Sequence, residues 1–215
     1  MTAIALPGRT RTSTTTTLLT CGILAGPVFV GTGLLQGLTR PGFDFTRHPA
    51  SVLANGTLGW IQITNFLVTG LLTLAAAAGT RRVLPGRWGP RLLAVYGVSL
   101  MAAGVFRADP QDGFPLGTPA GPPSSVSWHG MLHFACGGLG FAALVAACFA
   151  IGSQLSPTRA WYSRISGLLF LVGFAGVASG STSPVVTLGF WAAVGITFAW
   201  LAVTSVHLMP RGESR

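Results

Sequence analysis

His129 and His133 stand four residues apart in the run Ser124–Cys136, which is otherwise largely apolar. On a helix, residues i and i+4 share one face, so two imidazoles at this spacing could hold a divalent metal such as zinc. The helix N-terminus disfavours imidazolium, and the neutral ring is the form that ligates. Cys136 continues the same face, and a third ligand would come from Asp44, His48, Asp109 or Asp112. A metal held there would lower the pKa of a bound water and allow hydrolysis. The catalytic His-Glu-x-x-His pattern is absent, since the chain has no glutamate beside either histidine. Haem is disfavoured, because bis-histidine ligation needs histidines on facing helices and these two lie on one.

The other candidate site residues are Asp44, Arg47, His48 and Ser51 in one polar stretch, and Arg107, Asp109 and Asp112 in another. Each has a plainer reading. Arg47 either pairs with Asp44 or holds an anionic lipid headgroup. Asp109 and Asp112 would pair with Arg107 and form a turn at Asp112–Gly113. His48 precedes Pro49 and reads as a solvated loop residue. His129 would mark the membrane interface, and His133 would hydrogen-bond a neighbouring helix.

The elements that position these groups follow from composition. Half the residues are hydrophobic and 8% are charged, with a mean hydropathy of +0.62. A soluble domain carries about a quarter charged residues, so lipid must be the main solvent. The expected fold is an all-α integral membrane protein, a bundle of six transmembrane helices with both termini cytoplasmic. Residues 1–17 are expected as a disordered cytoplasmic tail, 18–208 as the six-span domain and 209–215 as a short cytoplasmic tail. The spans are placed near 18–38, 57–79, 92–108, 127–152, 165–180 and 185–208.

All 13 basic residues are arginine. Arg40, Arg47 and Arg107 fall on one side of this topology with Asp44, Asp109 and Asp112, and every other arginine falls on the tail side. The positive-inside rule then places both termini in the cytoplasm, and the chain is expected in the inner (plasma) membrane. It also gathers the candidate site residues at the extracytoplasmic ends of the spans. His207 lies at the opposite end, about a membrane thickness away. A net charge of +9 distributed between apolar runs is not a phosphate-tracking stripe, so nucleic acid is excluded as a partner. Cys21, Cys136 and Cys148 give no disulfide framework, and Cys21 lacks the apolar segment that a lipoprotein cleavage site requires.

Three stretches carry a family resemblance. They are Arg47-His-Pro-Ala-Ser51 with Asn55-Gly-Thr-Leu-Gly-Trp60, then Gly104-Val-Phe-Arg-Ala-Asp-Pro110, then the histidine segment. Together they resemble the bacterial membrane proteins known as domain of unknown function 998, over roughly residues 20–208. The resemblance implies a similar number of spans and no particular chemistry. A looser likeness to membrane hydrolases of the alkaline ceramidase and adiponectin-receptor type pairs a serine, an aspartate and a His-x-x-x-His around zinc. Ser51, Asp109 or Asp112, and His129 with His133 would be the comparable groups. Those proteins usually have seven spans with the pair on the last, which this chain does not reproduce.

The functional expectation is a polar pocket on the extracytoplasmic face, binding a small ligand, a lipid headgroup or a metal. A metal-dependent hydrolase using His129 and His133 is the first alternative. A small-solute transporter is the second, permitted by the Pro27- and glycine-interrupted first span. The bilayer is the partner composition demands, while oligomeric state is left open.

Overall fold

The computed structural model describes residues 7–210, with side chains from residue 12 onward. It is all-α: α1 (Pro7–Thr39), α2 (Gly59–Val83), α3 (Trp88–Val105), α4 (Trp128–Gly152), α5 (Pro157–Ala178) and α6 (Pro184–Leu208). Apolar residues dominate the exposed faces of these helices, and the polar face of α2, with Gln62, Asn65, Thr69 and Thr73, is turned inward, so no water-facing amphipathic pattern sets them. In lipid a lone segment can satisfy its backbone only as a helix, and local signals then set the ends. Pro157 and Pro184 occupy the first turns of α5 and α6, where the missing N–H costs nothing. Ser127 caps α4 by accepting a hydrogen bond from the Gly130 amide at 3.0 Å.

Five helices are long and apolar enough to cross a membrane: Thr12–Thr39, Gly59–Val83, Trp128–Gly152, Pro157–Ala178 and Pro184–Leu208. The sixth, α3, has 18 residues. Each helix packs against the next in the chain, and α1 packs against α6 to close a ring. Every seam is antiparallel. Gln36 meets Gln62 while Gly79 faces Leu19, and Gly26 faces Phe198 while Gly33 faces Trp191. Thus α1 begins and α6 ends at one end of the bundle, which also carries the α2–α3 and α4–α5 turns. At the α2–α3 seam backbone meets backbone: a Cβ on Gly70 would stand 2.6 Å from the Gly97 carbonyl oxygen, and one on Gly97 2.9 Å from that of Gly70. Only paired glycines let the two backbones approach this closely.

The core of the turn end is apolar, built from Leu19, Leu93, Leu144, Ile151 and Trp200. The indole N–H of Trp200 donates to Ser163 Oγ at 2.9 Å. A polar ladder runs inside the α1–α2 seam. Gln36 donates to Gln62 Oε1 at 2.8 Å, and Asn65 donates to the same oxygen and to the Phe29 carbonyl. Exposed tryptophans mark both ends, with Trp60 and Trp128 at one and Trp88 and Trp161 at the other. Arg91 and Arg164 lie over the Trp88 and Trp161 rings.

Three expectations about boundaries change. Residues 7–17, expected as disordered tail, are helical and continue into the first span; residues 1–6 and 211–215 lie outside the described residues. The fifth helix starts at Pro157 rather than near Ile165. Arg159, Trp161, Tyr162 and Arg164 read as a loop because they are polar or aromatic, but such residues suit a helix end at the membrane interface. The stretch after α1 holds a short 3-10 helix, Ala50–Ala54, whose Val52, Leu53 and Ala54 are buried.

Candidate functional site

The ring encloses a cavity of about 420 Å³ at the end opposite the turns. All six helices contribute to its wall: Phe29, Phe66, Tyr96 and Leu100, His133 and Phe141, Phe174, and Phe190 with Val194. Tyr96, on the floor, lies about 14 Å from the C-terminal end of α3 at helical rise. On α4 the wall is bare backbone at Gly137 and Gly138. A Cβ at Gly137 would meet nothing within 4 Å, and nearby Phe134 is 60% exposed while lining the cavity. The polar groups cluster at the mouth: Arg47, Ser51, Asp109, Gln111, Asp112 and the ring of His133. The body of the cavity is therefore mostly aromatic and aliphatic, with the hydroxyls of Tyr96 and Ser99 as its polar groups, and the charged groups lie at the entrance.

The loops that frame the mouth are built on two buried polar side chains. Arg40, just past α1, points its guanidinium at the carbonyls of Leu53 and Asn55 and lies 4.8 Å from the Phe114 ring centroid. Burial lowers its pKa from the ordinary value, yet the arginine range is so high that it stays charged. Asn55 donates to the Ala108 carbonyl at 2.9 Å, tying this loop to the one after α3.

His48 is the second such residue and is fully buried. The Asp44 amide can only donate, so Nδ1 accepts it at 2.9 Å. The ring hydrogen then sits on Nε2, which donates to the Asp112 carbonyl at 3.1 Å. The His48 carbonyl accepts the Trp191 indole N–H at 3.0 Å. The solvated loop residue expected at His48 is instead a loop fastener with both nitrogens occupied, because Phe43 and Phe114 close over it.

Arg47 and Asp44 form the expected pair, at 3.1 Å. Asp44 also accepts from the Thr46 hydroxyl at 2.6 Å and amide at 2.8 Å. Those bonds, ahead of the arginine, hold its carboxyl below the usual range. Asp44 stands beside the mouth through Arg47 and is not part of the cavity wall. Asp112 has φ of 52°, followed by Gly113 at 87°, so the turn expected there is present. The pairing of Arg107 with the aspartates is not. Arg107 is exposed and lies outside the cavity lining, while Asp109 Oδ2 accepts the Ser127 amide at 2.9 Å. That carboxylate sits over the first turn of α4, where a Cβ on Gly130 would come within 2.1 Å of it. A helix N-terminus is a favourable place for a carboxylate.

The two histidines that share a helix face do not share surroundings. His133 lines the cavity at 8% exposure. Its Nδ1 lies 3.0 Å from the Ala103 carbonyl and 2.8 Å from that of Phe106. Both are acceptors, so Nδ1 carries the hydrogen and Nε2 is left as an acceptor. His129 is outside the cavity lining. Its ring stacks on Trp128 with centroids 3.7 Å apart, and its buried Nδ1 has no hydrogen-bond partner among the described residues. Among the described residues no three His, Cys, Asp or Glu side chains converge as a metal would require. The cavity thus collects Arg47, Ser51, Asp109, Asp112 and His133 from the expected set. Arg40, Gly137 and Gly138 were missed. A charged residue immediately after an apolar run, and adjacent glycines inside one, were the available signals.

No curated protein and no solved structure matches the chain. The model of one family, described as Protein of unknown function (DUF998), matches over residues 23–207. The chain belongs to that family.

Proposed function

We propose that this is a six-span membrane protein whose outer-end cavity binds an amphiphile taken from the surrounding leaflet. The carrying observation is that one cavity has a mostly apolar, aromatic body and carries its charged groups at the mouth. A volume of about 420 Å³ lies within the range of about 300–1,000 Å³ typical of small-molecule sites. The bare stretch at Gly137 and Gly138 beside exposed Phe134 supplies a side entrance facing lipid.

In this reading α3 also crosses the bilayer. Its 18 residues rise about 27 Å, close to the core thickness, and Arg91 reaches the interface over Trp88. The arginine-rich end, with Arg81, Arg82, Arg87, Arg91, Arg159 and Arg164, faces the cytoplasm together with both ends of the chain. The cavity then opens at the extracytoplasmic face of the inner membrane.

The test uses full-length protein in nanodiscs of zwitterionic lipid and labelled dodecanol as probe. Native protein binds the probe saturably, whereas Gly137→Phe, which fills the cavity from a position with open space, folds and loses at least about 90% of that binding. Equal binding by both proteins would remove the cavity as the site. The depth of the cavity supports a second reading, transport. It predicts that Gly137→Phe also abolishes accumulation of a water-soluble amphiphile in inverted vesicles, whereas a binding protein alone gives none in either form.

A further inference from the structure

We infer that the ligand's head is a protonated amine, so that the cavity selects a long-chain ammonium amphiphile over neutral or anionic ones with the same tail. This rests on the cavity-binding reading above and adds the chemistry of the head. The charge left uncompensated at the mouth is negative, while Ser51 and Gln111 bring groups there that both donate and accept. Arg47, the one arginine among the described lining residues, pairs through Nε with Asp44 at 3.1 Å, which offsets its charge. Asp112 lines the cavity with a carboxylate that makes no hydrogen bond or ion pair among the described residues, and Asp109 spends a single bond on the Ser127 amide. An ionised carboxylate only accepts.

His133 adds an independent constraint. It is 8% exposed, and its Nδ1–H is committed to the carbonyls of Ala103 and Phe106. That commitment fixes the tautomer and leaves Nε2, without a partner, as a further acceptor on the cavity side. Asp109 and Asp112 therefore favour a cationic head at the mouth, and an ammonium brings N–H donors with a compensating charge, whichever of the lining acceptors it meets. A phosphate or sulfate head would face like charge and unmatched acceptors, which costs affinity. Arg40 does not reverse this, because its guanidinium is turned to backbone carbonyls within the loop.

The experiment compares dodecylamine, dodecanol and dodecyl sulfate on the reconstituted full-length protein, native, Asp109→Asn/Asp112→Asn and Gly137→Phe. Gly137→Phe supplies the background for simple partitioning into lipid. Native protein should bind the amine about tenfold or more tightly than the alcohol, and the sulfate more weakly than either. The double asparagine variant keeps an acceptor for the Ser127 amide. It should bring the amine-to-alcohol ratio close to one, the amine losing far more affinity than dodecanol. Equal affinities for amine and alcohol on native protein, or a preference that survives both asparagines, would overturn the ammonium inference and leave the cavity reading standing. Native protein that binds none of the three above the Gly137→Phe background would overturn both. The three-head comparison on native protein alone decides the inference should the double variant fail to fold.

Discussion

Arg40 is a buried cation that touches carbonyls and an aromatic ring but, among the described residues, no carboxylate. Its planar fork spans two backbone oxygens, those of Leu53 and Asn55, a geometry that an ammonium cannot reproduce. Arg40→Lys should therefore cost about 1.5–3 kcal/mol, lowering the midpoint of thermal unfolding in detergent by several degrees. A midpoint unchanged within error would mean the fork does not hold the loop. Residue identity announced a charge here, and only the fold showed that it is structural. The opposite holds at His133: its spacing from His129 is plain in the sequence, but the carbonyls that fix its tautomer come from the end of α3. Sharing a helix face did not make the two histidines share a site, because Trp128 holds one ring and α3 holds the other.

Among the elements, glycine has two opposite uses that sequence spacing does not distinguish. Gly70 lies where α2 and α3 touch backbone to backbone, and a methyl there collides with the Gly97 carbonyl and the side chain of Met101. Gly137 faces open space. Gly70→Ala should destabilise the protein by about 1–3 kcal/mol, the usual cost of overpacking. Gly137→Ala should be neutral or stabilising by up to about 1 kcal/mol, since alanine is the better helix former. Thermal unfolding of the two variants beside the native protein checks the pair, and a reversed order would contradict the packing described for these seams. The spans themselves were legible because long apolar runs have one solution in lipid. Their ends were less so: α5 extends through Arg159, Trp161 and Arg164, whose polarity mimics a loop.

At the scale of the whole molecule, six antiparallel helices close into a ring, and the loops of one end fold down as a frame around its central cavity. The orientation proposed above predicts which loops meet which solvent. A cysteine at Leu116, exposed in the long loop after α3, should react in intact cells with a membrane-impermeant maleimide. One at Ser156, exposed in the α4–α5 turn, should react only after permeabilisation. Labelling is judged against the native chain with Cys21, Cys136 and Cys148, and the inverse pattern would invert the topology.

Composition and the arrangement of arginines determined that the chain is a helical membrane protein, where most helices run and which residues gather at one end. Those are consequences of one segment at a time meeting lipid, and a segment's own residues contain that information. Tertiary structure alone decided that the gathered residues divide into loop fasteners, Arg40 and His48, and cavity-facing groups, Asp109, Asp112 and His133. It also decided that the pocket expected to be polar has an aromatic body. The physical reason is that a side chain's hydrogen-bond capacity is consumed by whichever backbone packs beside it. Here the deciding partners come from other helices and loops: 112 closes over the ring at 48, and 103 and 106 claim the ring at 133.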